Sequence, residues 1–565
     1  MAYTINRKDC INCYQCLHRC PSGAIGAEGG VFRIHPERCT ECGVCFRECH
    51  FGAVEDSNGK TNTPQNIPSH DPVVYDAELV VIGAGATGIT AAVRTAWLTG
   101  KRVIVLESAK FPGGCGWFGG GVRTFGCRAG EKLGVVDVRP DQVEQSVQKT
   151  FWQLDSALIG KVIYALGPFT DWCCDMDPGL EDRFEVFQPF PHMKPETALK
   201  PNRGIRSCGQ QFLEILLRKA DELGIAILTQ TRAYRIERDA DGSVCAVHAR
   251  DPGGHVTVRA RTCILAAGNW IANREISREV VPSFQANWEL PANPHMLPTC
   301  QGDGITLAES AGIPVDRSKL AARIFGPHIM PAVGGADFFG SRFEAILVNR
   351  LGQRWVNEKK HELDAGMLLL EQPDGCAYAL MDAGILDRTY KNFCEGIGNE
   401  ANGGPEVRPP KPEYRAILDA ALEANPDLPH KKADTLAELA GLTGMPADAL
   451  EETVRRYNEF CFQEIDKDYY KPAQYLIPFT GGPYYAFYGC AVSDGGFGGA
   501  EVNAEFRVVD GDGKPVPGLF AGGDNCCGWF IKLFGGKQAF INDLSWAFAS
   551  GYLAAETISD DLRSR

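Results

Sequence analysis

The apolar positions of this 565-residue chain fall in short unbroken runs separated by glycine-rich turns. That is the pattern of strands buried on both faces, as in a parallel sheet. Leu79–Ile82 is apolar throughout and predicts a central strand. Residues 83–88 then read Gly-Ala-Gly-Ala-Thr-Gly, an alanine-rich stretch to about Leu98 predicts a helix, and 102–106 predict a second strand ending at Glu107. Shorter apolar runs recur at 225–228, 244–247, 262–268 and 516–524. Residues 57–64 are polar and are followed by Pro68 and Pro72, which predicts a linker. Fully extended, such a stretch spans about 50–60 Å, so the sequence leaves the docking of the preceding residues open.

Composition narrows the picture. With 44% hydrophobic and 23% charged residues the chain is globular, and its length exceeds what one compact core holds. A net charge of −14 argues against a nucleic-acid surface. The longest apolar stretch, 79–93, is interrupted by Gly83, Gly85 and Gly88, so no membrane span is expected. Residues 1–7 carry neither an apolar signal core nor a twin-arginine pair, and a cytoplasmic location is expected.

Cysteine is the unusual feature: 22 in all, with eight in the first 50 residues. Cys10, Cys13, Cys16 and Cys20, then Cys39, Cys42, Cys45 and Cys49, both follow C-x2-C-x2-C-x3-C spacing. Three closely spaced thiolates wrap one face of an iron–sulfur cubane, and the fourth cysteine of each run reaches the other cubane. Two [4Fe-4S] clusters are therefore expected, one on Cys10, Cys13, Cys16 and Cys49, the other on Cys39, Cys42, Cys45 and Cys20. Zinc knuckles would want fewer cysteines or interspersed histidine, and a disulfide framework would want an exported chain. Residues 2–54 resemble a bacterial-type two-cluster ferredoxin, departing from it at His50, where proline is usual. Such clusters imply a reducing, anaerobic interior.

The strand, the turn with Gly83, Gly85 and Gly88, the helix and the acid Glu107 together make a dinucleotide fingerprint. With Gly113, Gly114 and Gly121, with Ala267 and Gly268, and with Gly523 and Asp524, the chain from about 76 to 558 resembles the fumarate reductase/succinate dehydrogenase flavoprotein superfamily. The resemblance implies FAD, with Asp524 near the ribityl and pyrophosphate groups and Gly536 at the start of a helix facing the flavin. It implies an α/β architecture: a Rossmann-like FAD-binding domain carrying an inserted α+β capping domain, preceded by a small α+β ferredoxin domain. The expected division is 1–56 ferredoxin, 57–75 linker, 76–284 FAD-binding, 285–480 cap and 481–565 FAD-binding again. Segments 302–305 and 348–358 resemble the family's GDG and VN-x-x-G-x-RF-x-NE motifs. No histidine lies between Glu107 and Gly121, so the flavin is expected to be non-covalent, with Cys115 a turn cysteine.

A flavin fed by one-electron carriers can deliver a hydride to an activated C=C bond, with a proton from a placed acid. The family's dicarboxylate-binding features are changed here: Glu362 beside His361 where an arginine donor is usual, residues 493–499 in place of a histidine-rich motif, and Lys532 before Gly535-Gly536. Aromatic residues are expected around the pocket instead, namely Trp117, Phe118, Tyr484, Tyr485, Tyr488, Trp529, Phe530 and Phe534. The expected substrate is a hydrophobic or aromatic unsaturated compound, with Tyr485, Tyr488, His361 and Lys532 as candidates for its chemistry. The vicinal pairs Cys173-Cys174 and Cys526-Cys527 read as small buried hydrophobes. Expected partners are the small unsaturated substrate and an external electron donor such as a ferredoxin or a reductase; a homo-oligomer or a complex partner is left open. The alternative reading is an electron-transfer subunit of a larger redox complex, similar to heterodisulfide reductase or adenylylsulfate reductase.

Overall fold

The computed structural model describes residues 3–6, 10, 16, 20–28, 31–49, 52–62, 68–119, 121–187, 196–199, 208–281, 297–329, 343–359, 362–395, 412–531, 537–538 and 542–564. Cys13, His361, Lys532 and Gly536, named above, lie outside them, as do His50 and Phe534.

A six-stranded sheet forms the main body, in the order Ala226–Leu228, Val103–Leu106, Leu79–Ile82, Cys263–Leu265, Pro515–Ala521, Arg507–Val509. The first five strands run parallel and only the last pairing is antiparallel. Every residue of Leu79–Ile82 and Val103–Leu106 is buried, which is why these segments are apolar without alternation. The helix Ala86–Thr99 follows the first glycine turn and packs against the long helix Asp543–Ser564. Phe169, Phe212 and Phe548 fill the layer beneath them, with ring centroids 5.1–5.3 Å apart.

A second sheet, Arg232–Arg238, Val244–Arg250, His255–Arg259 and Val73–Asp76, flanks the first. The end of the expected linker is anchored to it: His70 Nε2 lies 3.0 Å from both carboxylate oxygens of Asp251. The helix Asp303–Ser310 also belongs here, since Ser310 Oγ accepts from the backbone of Ile236 and Arg238 donates to the Ala311 carbonyl.

The inserted unit is built on one strand, Tyr484–Phe497, which at 14 residues extends about 45 Å. Its C-terminal half pairs with Ala321–Ile329 and its N-terminal half with Cys376–Asp382 and Lys431–Ala433. A boundary at 480/481 therefore separates this strand from the sheet it holds together. The sequence division followed motif positions and had no means of seeing the pairing.

Beneath that sheet lies a buried group of four charges. Arg354 donates to both carboxylate oxygens of Glu358 at 3.0 and 2.8 Å and to Asp466 at 2.9 Å. Lys471 Nζ lies 3.4 Å from Glu358 and donates to the Ala345 carbonyl at 3.0 Å. The Arg354 guanidinium sits between the Tyr457 and Tyr469 rings, 5.0 and 5.1 Å from their centroids. Burial works against all four charges. The cations Lys471 and Arg354 outweigh it at Glu358, Arg354 does so at Asp466, and both carboxyls are held below their usual range.

The N-terminal unit pairs Tyr3–Ile5 with Val54–Asp56 and folds a hairpin of Ile25–Glu28 and Val31–Ile34. Its own small core contains Ile25, Phe32, Ile34, Ala53 and Val54 together with Cys16, Cys45 and Cys49.

Candidate active site and electron-entry site

In the N-terminal unit one cavity is walled by Cys20, Cys39, Cys42 and Cys45, alongside Tyr3, Ile25 and Ile34. The four are the expected second ligand set, with Cys20 brought over from the first run. Backbone amides already point at sulfur: Ala24 N–H donates to Cys20 at 3.2 Å, Glu41 N–H to Cys39 at 3.4 Å and Ala53 N–H to Cys49 at 3.1 Å. Burial, helped by the neighbouring thiols, pushes the Cys45 thiol up to about 11. Among the described residues no three thiol, imidazole or carboxylate groups converge as they would on a single ion. Thiols spread around a cavity suit a polynuclear cluster, whose irons each take a different cysteine. Of the first set, Cys10, Cys16 and Cys49 share the small core.

The larger cavity, about 290 Å³ and partly open to solvent, lies along the carboxyl ends of the main sheet. It is where an open parallel sheet binds its ligand. The glycine turn forms one wall. Gly83 has φ +101°, and a Cβ there would fall 2.2 Å from the Ala266 carbonyl oxygen; a Cβ on Gly88 would fall 1.9 Å from the Gly83 carbonyl oxygen. Only glycine lets strand, turn and helix approach this closely. At Gly85 the nearest atom to an added Cβ is 4.0 Å away, so the backbone there lies open to an incoming pyrophosphate.

Glu107 edges the same cavity and accepts from the backbone amides of Ala84 at 2.8 Å and Ala109 at 2.7 Å. Burial is the main influence on its carboxyl and lifts it above the usual range, against those two donors. Beside it Arg232 makes a two-pronged ion pair with Asp303, at 2.9 and 2.5 Å. Gly114, Gly121, Ala267, Gly268 and Asp524 line the cavity as well. Gly113 continues the same turn, its amide donating to the Ala84 carbonyl at 2.8 Å, and Gly523 lies against Thr87.

Sequence reasoning missed three contributors. Asn525 is buried and clamps the adjoining wall, its Oδ1 accepting from the Ala267 amide and its Nδ2 donating to the Gly268 carbonyl, both at 2.5 Å. Its place directly after Asp524 was the available signal. Arg323, on the cap strand Ala321–Ile329, reaches across to Asp543 at the start of the last helix, with contacts of 2.9 and 2.6 Å. It joins the cap to the main body at the cavity wall. No motif marks either residue, because the pair exists only once the cap is folded onto the sheet.

Several expected site residues lie elsewhere. Tyr485 and Tyr488 do not line the cavity; they sit in the middle of the cap sheet. Tyr485 is fully buried, its hydroxyl donating to Asp419 at 3.1 Å, and the Tyr488 ring packs edge-on against Tyr378. Burial lifts both phenols. Their strand enters the cavity only at its far end, through Phe497. The aromatic lining is correspondingly thinner than expected. Trp529 stacks on Trp546, Phe530 stacks on Phe497, and the Trp117 indole donates to the Pro112 carbonyl beneath the turn. Phe497 is the one aromatic side chain among the described lining residues.

Comparison with known proteins agrees with this geometry. Residues 78–534 match the FAD binding domain family, and residues 2–50 match a 4Fe-4S dicluster domain. The chain belongs to that FAD-binding family, the one containing the fumarate reductase and succinate dehydrogenase flavoproteins. It is a FAD-dependent oxidoreductase whose relatives act on C=C or CH–CH bonds. It is 25% identical over 503 residues to the vinyl phenol reductase of Lactiplantibacillus plantarum, a match covering 86% of this chain and 96% of that one. To the urocanate reductase of Eggerthella lenta it is 26% identical, over 80% of this chain and 70% of that one. Among solved structures, the open conformation of a flavocytochrome c3 fumarate reductase has a TM-score of 0.64 at 22% identity, covering 86% of this chain and 79% of that one. No helix among the described residues is long and apolar enough to cross a membrane.

Proposed function

We propose that this enzyme takes single electrons through two N-terminal [4Fe-4S] clusters and uses them to reduce the activated C=C bond of a hydrophobic or aromatic substrate that is not a dicarboxylate. When bound, FAD supplies the hydride and the clusters supply one-electron transfer. The chain's own residues supply the rest. Gly83, Gly85 and Gly88 admit the pyrophosphate, Glu107 and Asp303 edge the adenosine end, and Asn525 fixes the wall between. Arg323, oriented by Asp543, offers its N–H groups to the oxygen that activates the alkene.

The observation carrying the substrate reading is the charge of the cavity. Both arginines among its described lining residues are already paired with carboxylates, and Glu107 and Asp524 add further acids. A dicarboxylate needs paired cationic donors that are not already spoken for. The relatives that reduce vinyl phenols and urocanate support the reaction class at this degree of identity.

For the proton we retain His361 from the sequence. It directly precedes the helix Glu362–Leu370, which packs on the strand carrying Arg323. The electron donor is an external ferredoxin or reductase. The test is anaerobic stopped-flow reoxidation of dithionite-reduced enzyme by a panel of vinyl phenols, enones, cinnamate-type acids and fumarate. Rapid reoxidation by neutral or singly charged alkenes is expected. Fumarate acting alone would overturn the substrate reading. Reoxidation only by a partner protein would favour an electron-transfer subunit instead.

A further inference from the structure

The cavity wall contains a pair of cysteines that the reaction above does not use. Cys115 lies on the short 3-10 turn Gly114–Phe118, just after the glycines that continue the dinucleotide cradle. Cys300 comes from the segment leading into the helix Asp303–Ser310, 185 residues later. Their sulfurs are 3.6 Å apart, and both residues line the cavity. From sequence Cys115 reads as a plain turn cysteine; only the fold gives it this neighbour.

We propose that Cys115 and Cys300 form a reversible disulfide site in the cavity wall, closed by a small organic disulfide and reopened by a thiol reductant. Bonding distance is about 1.5 Å closer than the present separation, within reach of side-chain rotation and slight movement of two loop segments. The order of attack follows from exposure. Cys115 is half-buried, whereas Cys300 is 4% exposed. The Cys115 thiolate attacks one sulfur of the reagent RSSR, expels RS⁻ and leaves a mixed disulfide. The Cys300 thiolate then attacks the Cys115 sulfur and expels the second RS⁻. One protein S–S bond forms, the reagent S–S bond breaks, and the two thiol protons end on two molecules of RSH. The cysteine pair loses two electrons and the reagent gains them.

Four of the other thiols compete poorly. Burial pushes the thiols of Cys174, Cys208 and Cys490 up to about 12 and that of Cys527 up to about 11, which starves them of nucleophilic thiolate at neutral pH. The crosslink would tie the turn bearing Gly113 and Gly114 to the segment that positions Asp303 against Arg232. Both are walls of one cavity, so closure should lock a bound dinucleotide in place. That consequence rests on the cavity being the FAD site.

The experiment treats anaerobically purified full-length enzyme, clusters and flavin in place, with oxidised 2-mercaptoethanol. Remaining thiols are then alkylated and the digest analysed by mass spectrometry. A Cys115–Cys300 linked peptide lighter by two hydrogens is expected, lost on treatment with dithiothreitol and absent from Cys115→Ser and Cys300→Ser. The Cys300→Ser protein should accumulate the mixed disulfide on Cys115. Dinucleotide release on dilution should be several-fold slower in the oxidised enzyme than in the reduced one. No linked peptide, or a mixed disulfide that persists on Cys115 in the unsubstituted protein, overturns the site; a linked peptide with unchanged release overturns the lock. Protein that binds no flavin would count against the proposed function, while the peptide map would still read the cysteine pair.

Discussion

Replacing Arg354 with methionine isolates the energetics of the cap. The side chain is almost fully buried, makes three hydrogen bonds to Glu358 and Asp466, and is packed between two tyrosine rings. Arg354→Met leaves two buried carboxylates facing only Lys471. Breaking a buried ion pair from one side costs about 3–5 kcal/mol, because the remaining charge keeps its desolvation penalty without its partner. A second substitution, Glu358→Leu, removes that excess charge and should recover part of the loss, leaving Asp466 and Lys471 to balance. The pH dependence adds a sign. In the unsubstituted protein the carboxyls of Glu358 and Asp466 are depressed. Their contribution is therefore complete above the ordinary carboxyl range of about 4 and is lost as pH falls through the lower folded values. Without Arg354 chiefly Lys471 still opposes burial at Glu358, so its carboxyl rises and the stabilisation it adds above the ordinary carboxyl range shrinks. The assay is hydrogen exchange of the peptide spanning Ala447–Gln463, the cap helix carrying Tyr457, because local opening can be read without assuming that a multidomain chain unfolds in one step. Exchange by opening should accelerate by roughly 10²- to 10³-fold at pH 7, the upper part of the cost being capped by global unfolding. Exchange within about twofold of the unsubstituted protein, or a pH dependence of unchanged size, would refute the reasoning.

The other predictions are simpler. Gly88→Ala places a methyl group 1.9 Å from the Gly83 carbonyl oxygen, so purified protein should lose its flavin absorbance while keeping its cluster absorbance. Cys42→Ser should roughly halve the iron and sulfide content if each ligand set holds one cluster, as chemical analysis would show. Tyr485→Phe removes one hydrogen bond to Asp419, costing about 1 kcal/mol of stability with kcat little changed, whereas His361→Gln should lower kcat by about 10²–10⁴-fold. A kcat loss confined to Tyr485→Phe would reverse that assignment. Arg323→Met should raise KM and lower kcat together for every alkene accepted, and steady-state kinetics with two substrates checks it.

Much of the main sheet was legible because its chemistry is local. Leu79–Ile82, the glycine turn and Glu107 are contiguous, and their burial leaves an uninterrupted apolar signal. The cysteine spacing is equally local, and the fold brings Cys20 to the cavity lined by Cys39, Cys42 and Cys45. What sequence could not supply was the partner of each element across long separations. Tyr485 and Tyr488 stand on an aromatic-rich strand that does reach the cavity, yet the end that reaches it is Phe497. Period-two patterning says which residues share a face, but not which end of a 14-residue strand meets the ligand. Arg323 with Asp543, and Cys115 with Cys300, are 220 and 185 residues apart and become neighbours only in the folded chain.

The main sheet interleaves its sources: Leu79–Ile82 hydrogen-bonds to Cys263–Leu265, which hydrogen-bonds in turn to Pro515–Ala521. The wall that Asn525 clamps is thus incomplete until residues 515–525 have been made. Pairings of such long sequence separation form slowly. During synthesis the N-terminal cysteines and the cap strands can assemble before the wall beside the glycine cradle is complete, so nucleotide loading waits for residues 515–525.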